Sequence, residues 1–221
     1  MNVKLISYTP NPERTPAMAA KLTHSKAKPE ELEKTSDVEL KNILNHVMSL
    51  GHTSVIEHTS FTFAISDVSR SLTHQLVRHR IASYAQQSQR YVNLTEPNYV
   101  IPPKIAKNKD MKKAYEQTMD LIWEQYNKLL DLNIPAEDSR YVLPNATCTN
   151  IMVTMNARSL LNFFELRCCL HAQWEIRELA NKMLQEVKKV APIIFKNAGP
   201  ACKTKNICPE NKKDCPLYPK K

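Results

Sequence analysis

The stretch EHTSFTFAISDVSRSLTHQLVRHRIASYAQQSQRY, residues 57–91, decides how this chain folds. Over 57–66 it puts Phe61, Phe63 and Ile65 at alternate positions, the period of a half-buried strand. The period then changes. Asp67 is placed to cap a helix over about 68–79, with Leu72, Leu76 and Val77 turned inward. On that helix Gln75 and Arg78 stand three residues apart and share a face. Arg78, His79 and Arg80 then gather two fixed charges and an imidazole at the helix end. Such a cluster complements the helix dipole, by a few tenths up to about 1 kcal/mol. It can equally be an anion site, since guanidinium groups pair bidentately with phosphate. A polar run without glycine or proline, residues 80–90, follows.

Working outward, residues 3–8 alternate as a strand, and residues 10–35, with Pro10, Pro12, Pro16 and Pro29, read as loop with some helix. Ser36 and Glu39 form a capping-box pair opening a helix from about Asp37 to Leu50. Val38, Ile43, Leu44 and Val47 make its apolar stripe, and Gly51 stops it. Downstream the pattern predicts a short strand at 97–101, a long amphipathic helix over 108–132 and a short one over 135–141. A strand at 147–155 follows, then helices from Ala157 through Cys169 and from Ala172 to about Lys196. Leu179, Met183, Val187 and Val190 are spaced for burial, and Met152 and Met155 read as core. Strands and helices do not alternate as in a βαβ series. The expectation is therefore α+β, an antiparallel or mixed sheet packed with long helices, in one domain over residues 1–200. Residues 201–221 form a Lys/Cys-rich tail.

The 221 residues carry a formal net charge of +9, which raises the question of nucleic acid. Yet residues 182–221 alone hold ten lysines and three acids, leaving 21 basic against 19 acidic residues elsewhere. The excess is a tail, which reads as solvated surface rather than a binding stripe, so no nucleic-acid partner is expected. No apolar stretch is long enough for a membrane span, and MNVKLISYTP lacks the features of a signal peptide; a cytoplasmic location is expected.

Gly51 and Gly199 are the only glycines, which excludes a Walker A loop and a GxGxxG fingerprint. Phosphate must be held by side chains or helix N-termini. The six cysteines include Cys202, Cys208 and Cys215 in the tail, at spacings that give no CxxC pair. A closed metal site wants four ligands, so reduced thiols are expected there and no metal ligand is assigned. Cys168 and Cys169 read as small packing residues, His171 and Trp174 equally as core or function, and His24, His46 and His74 have no assigned role.

The spacing from Arg78 to Arg90 adds specificity. Arg-His-Arg, seven residues, Ser88, one residue and Arg90 resembles the RHRx7SxR signature of flavin-dependent thymidylate synthases. GHTSVIEHTSFTF at 51–63, SRYVLP at 139–144 and NARSLLNFFELRCCLHAQWEI at 156–176 look like further blocks of that family, so the similarity covers about residues 37–195. The resemblance implies FAD bound by Arg78, His79, Arg80, Gln86, Ser54, Asn156, Ala157, Arg158 and Asn162, with His52 and Glu57 flanking it. It implies dUMP bound by Gln75, Leu76, Val77 and Arg78, by the loop Gln86, Gln87, Ser88, Gln89 and Arg90, and by Arg140 from another subunit at the phosphate. Arg167 would face the uracil ring near N3 and O2 and carry the catalytic role. Gln86 and Gln89 stand where some relatives have Glu and Gly; Gln keeps an acceptor and adds donors.

The implied reaction is reductive methylation of dUMP, with 5,10-methylenetetrahydrofolate as carbon donor, NADPH as reductant and the one-carbon unit passing by way of the flavin. The implied assembly is a homotetramer with shared active sites. Two other functions fit parts of the chain: a basic nucleic-acid-binding module, and a plain NADPH oxidase that keeps the flavin.

Overall fold

Phe61, Phe63 and Ile65 are buried along a strand, as their alternation predicts. The computed structural model describes residues 1–219; Lys220 and Lys221, the last two of the predicted tail, lie outside the described residues. In chain order the elements are β1 (Asn2–Tyr8), α1 (Arg14–Leu22), α2 (Pro29–Leu32), α3 (Asp37–Ser49), β2 (Ser60–Ser69), α4 (Arg70–Leu76) and β3 (Ser83–Gln86). Next come α5 (Pro103–Ala106), α6 (Lys109–Asp131), α7 (Ala136–Ser139), β4 (Cys148–Asn156), α8 (Ala157–Arg167), α9 (Trp174–Val190) and α10 (Ala201–Thr204). Two 3₁₀ turns, Val55–His58 and Arg140–Val142, complete the set. The strands form one antiparallel sheet in the order β1-β2-β4-β3, so the α+β expectation holds.

The chain divides into two compact units. The first comprises Met1–Asn2, Ile65–Arg78 and Tyr84–Met152; the second comprises Val3–Ala64, His79–Ser83 and the chain from Val153 onward. In the first unit Trp123 and Tyr126 of α6 are fully buried, and Trp123 Nε1 donates to the Leu94 carbonyl at 2.8 Å. In the second, Phe61, Phe164 and Phe195 meet edge to face, Phe195 lying 5.4 and 5.9 Å from the other two ring centres.

Local chemistry sets most boundaries as predicted. The Ser36 hydroxyl accepts from Glu39 N–H at 3.3 Å. The reciprocal half of that capping box is replaced by an ion pair, Glu39 with Lys21 at 2.7 Å. Gly51 has φ of +75°, and His52 and Gly51 donate to the carbonyls of Val47 and Met48, a Schellman stop. The buried stripe of α3 is Leu40, Leu44 and Val47, whereas Val38 is 72% exposed. Val38 sits in the first turn, where α3 has already turned that face outward.

Residues 10–35 are loop with some helix, as expected; the nine-residue α1 buries Ala17 and Ala20. Other expectations need correction. Asp67 does not cap a helix: β2 runs on through buried Val68 and Ser69, and the Ser69 hydroxyl accepts from Leu72 N–H at 3.0 Å. Asp67 instead takes φ of +56°, which its short polar side chain tolerates. Consequently α4 starts late and ends at Leu76, leaving Val77 exposed. The strand expected at 97–101 reduces to a single bridge between Tyr99 and Thr147, and β3 forms within the polar run instead. Met152 is exposed because it alternates with buried Ile151 and Val153 on β4, while Met155 is core.

Candidate functional site

The run Arg78-His79-Arg80 follows α4 rather than ending it. Val77 closes the helix, and Arg78 N–H donates to the Gln75 carbonyl at 3.3 Å, so Gln75 and Arg78 are joined by one tight turn. Tyr84 fastens the start of β3 to that end: its hydroxyl donates to the Leu76 carbonyl at 2.8 Å, and burial pushes the phenol up to about 12. Leu76 itself is fully buried, so of Leu76 and Val77 only Val77 offers a side chain to the surface.

In the second unit, half-buried His79 packs edge to face on Phe163 at 4.9 Å and its Nε2 accepts from Arg167 Nε at 2.9 Å. Burial, and then the Arg167 charge, pushes this imidazole down to about 4, so it is neutral near neutral pH. The bond requires Nε2 to be the bare nitrogen. Phe163 comes from α8, whose last residue is Arg167; the helix therefore supplies both the floor and the donor.

The start of α8 carries the other residues assigned to flavin. Asn156 caps the helix, its Oδ1 accepting from Ser159 N–H at 2.8 Å. Ala157 is fully buried and its N–H donates to the Thr59 carbonyl at 2.9 Å. Arg158 is exposed and ion-paired with Glu57, and exposed Asn162 lies one turn along the same face. His52 and Ser54 are exposed in the segment between Gly51 and the 3₁₀ turn, and Arg80 is exposed as well.

In the first unit the residues assigned to nucleotide are held by short polar links. Gln86 Nε2 donates to Thr73 Oγ1 and Thr149 Oγ1, both at 3.3 Å. Gln87 Oε1 accepts from Asn150 Nδ2 at 3.1 Å, and Ser88 Oγ accepts from Arg90 N–H at 3.2 Å. Arg90 pairs with Glu137 at 2.9 Å and stands 5.5 Å over the Tyr91 ring. Arg140, Gln89, Arg70, His74 and Tyr141 line a cavity of about 490 Å³. Burial, and then the nearby Arg140 charge, holds Arg70 below its ordinary range. Arg70 was not among the sequence candidates; its signal was its place one turn before His74, on the helix that leads into the motif. Among the described residues no three His, Cys, Asp or Glu stand close enough to hold a metal ion.

The fold has a solved counterpart. A UMP/dUMP methylase, PolB from Streptomyces cacaoi, crystallised with 5-Br dUMP, superposes with a TM-score of 0.76 over 88% of this chain and 93% of that one, at 23% identity. Residues 4–193 match the family model of the thymidylate synthase complementing protein, and the chain belongs to that family. Among its relatives, the flavin-dependent thymidylate synthase of Clostridium tetani is 51% identical over 97% of this chain and 93% of its own. That of Geobacter sulfurreducens is 50% identical over 97% and 94%.

Proposed function

We propose that this chain is a flavin-dependent thymidylate synthase that converts dUMP to dTMP, taking its carbon from 5,10-methylenetetrahydrofolate and its electrons from NADPH, with FAD as cofactor. The observation that carries this reading is the Arg167–His79 bond, which joins the motif histidine to the guanidinium assigned to uracil.

The donor set suits FAD. With two glycines in the chain, its pyrophosphate must be held by side chains or helix N-termini, and Arg80 and Arg158 are exposed, as are His52, Ser54 and Asn162, with Arg158 paired to Glu57. The flavin, when bound, supplies the redox chemistry; the protein orients the reactants and supplies charge. Arg167 gives its Nε hydrogen to His79, which leaves the terminal nitrogens to stabilise negative charge on the pyrimidine as C5 becomes nucleophilic. A guanidinium stays protonated throughout. His79, being neutral, accepts this bond without adding a competing charge.

Gln86 to Arg90 hold dUMP, and Arg70 and Arg140, which line one cavity, provide paired charge for the phosphate of a dUMP bound by a neighbouring subunit. Ser88 is assigned to binding, its hydroxyl oxygen accepting from Arg90 N–H within the loop that holds dUMP. Arg140 serves the phosphate of a neighbouring subunit in a homotetramer, an assembly supported by the exposed rings of Tyr91 and Tyr141, 80% and 83% accessible beside these residues. Among the described residues no helix is long and apolar enough to cross a membrane, in keeping with work in the cytoplasm.

Purified protein tests the reading directly. It should be yellow or take up added FAD, and form dTMP only when dUMP, methylenetetrahydrofolate and NADPH are all present. A colourless chain that refuses FAD, or flavin reoxidation indifferent to folate and nucleotide, would overturn it.

A further inference from the structure

Cysteine positions that look unrelated in sequence share one cavity. Cys169 follows α8, Cys202 lies in α10, and Cys208 and Cys215 lie beyond it; all four line a cavity of about 340 Å³. Each is half-buried and a free thiol, in contrast to the fully packed Cys148 and Cys168. Cys169 was expected to pack as a small hydrophobe, and without it the tail had only three ligands. Folding supplies the fourth.

Two turns shape the segment that carries Cys208 and Cys215. Cys208 and Cys215 are each followed by proline, and each opens a turn: Asn211 N–H donates to the Cys208 carbonyl at 3.1 Å, and Tyr218 N–H to the Cys215 carbonyl at 2.9 Å. Proline at the second position of a turn presets its backbone angle. The Tyr218 hydroxyl bonds Asn211 Oδ1 at 3.3 Å and ties the two turns together. Lys205 clamps α10 to α8 through Glu165 at 2.6 Å.

We infer that Cys169, Cys202, Cys208 and Cys215 ligate an iron–sulfur cluster of the cubane type. Four thiolates are the donor set of such clusters and of structural zinc. The two make different demands on how the sulfurs are grouped. Zinc draws four sulfurs to about 2.3 Å from one point, whereas a cubane takes each cysteine on a different iron and keeps the sulfurs apart around a larger body. Here all four cysteines line one cavity, and among the described residues no three His, Cys, Asp or Glu are grouped to hold a single ion. The bound cluster with four thiolates is anionic, and Lys203, Lys212 and Lys213, near the cysteines in sequence, supply compensating charge. This gives the lysine-rich tail a purpose. The same cavity reaches Arg167, so the cluster would brace the chain just past the helix that carries it.

The test is anaerobic purification of the full chain, followed by reconstitution with ferrous iron and sulfide. About four irons and four acid-labile sulfides per chain are expected, with an electron paramagnetic resonance signal on reduction that is distinct from a flavin radical. Cys169→Ser and Cys215→Ser should each lose most of the iron, while Cys148→Ser retains it. A second measurement does not depend on variants folding: in the wild-type protein the cluster should block alkylation of the four cysteines as a set. Zinc in place of iron, no metal uptake, or iron retained after Cys169→Ser would overturn the assignment. Labelling of the four thiols unchanged by reconstitution would do so too.

Discussion

Arg167 donates its Nε hydrogen to Nε2 of His79 across 2.9 Å, joining residues 88 positions apart. One partner is the middle residue of the Arg78-His79-Arg80 run, and the other ends α8. The bond fixes the tautomer of one and the direction of the other, which is why the clearest predictions start there.

Replacing Arg167 with alanine should leave FAD bound and abolish methylation, because it removes the charge facing the pyrimidine while sparing the groups assigned to the flavin. Flavin absorbance and dTMP formation measured on the same sample decide this. Turnover near the wild-type rate would refute the assignment.

His79 makes stability depend on pH in a defined direction. Its folded value, about 4, lies below the ordinary 6.5, so between these the unfolded chain binds more protons. The contribution is present in full above the unfolded value and is lost as pH falls through the folded one. Urea midpoints should drop between about pH 7 and pH 4.5, and drop less in His79→Gln. An identical pH profile in that variant would show that other groups are responsible.

Arg70→Ala tests a residue the motif does not include. It should weaken dUMP binding by an order of magnitude or more, about 1.5–3 kcal/mol for a hydrogen bond to a charged group, and leave FAD affinity alone. Calorimetric titration with dUMP separates this from a general loss of fold.

Ser88→Ala should raise the dUMP requirement more than it slows the chemical step, since the hydroxyl oxygen serves as an acceptor beside Arg90. Unchanged dUMP binding with complete loss of turnover would instead assign Ser88 a covalent role.

Gly51→Ala has a purely conformational cost. A Cβ there meets nothing within 4 Å, but φ is +75°. The variant should lose about 1 kcal/mol of stability in urea with no change in ligand binding. A neutral result would mean that the Schellman turn can rearrange.

The sequence by itself determined the elements whose signals are local. Alternation at Phe61, Phe63 and Ile65 made β2, Ser36 and Gly51 bounded α3, and the 108–132 periodicity became α6. The motif spacing and the later blocks likewise marked the family before any coordinate. Tertiary structure decided what depends on distant partners. Asp67 lost its cap role because burial of Val68 and Ser69 extended β2, and a nearer hydroxyl took over the cap. β3 formed in a run with no strand-like hydrophobicity, because residues beside it find partners on and next to β4, such as Asn150 for Gln87. Arg70 joined Arg140 only through folding, as Cys169 joined the tail cysteines. Propensity and periodicity are read over a few residues. Pairing, cavities and charge clusters belong to groups that only the folded chain brings within range.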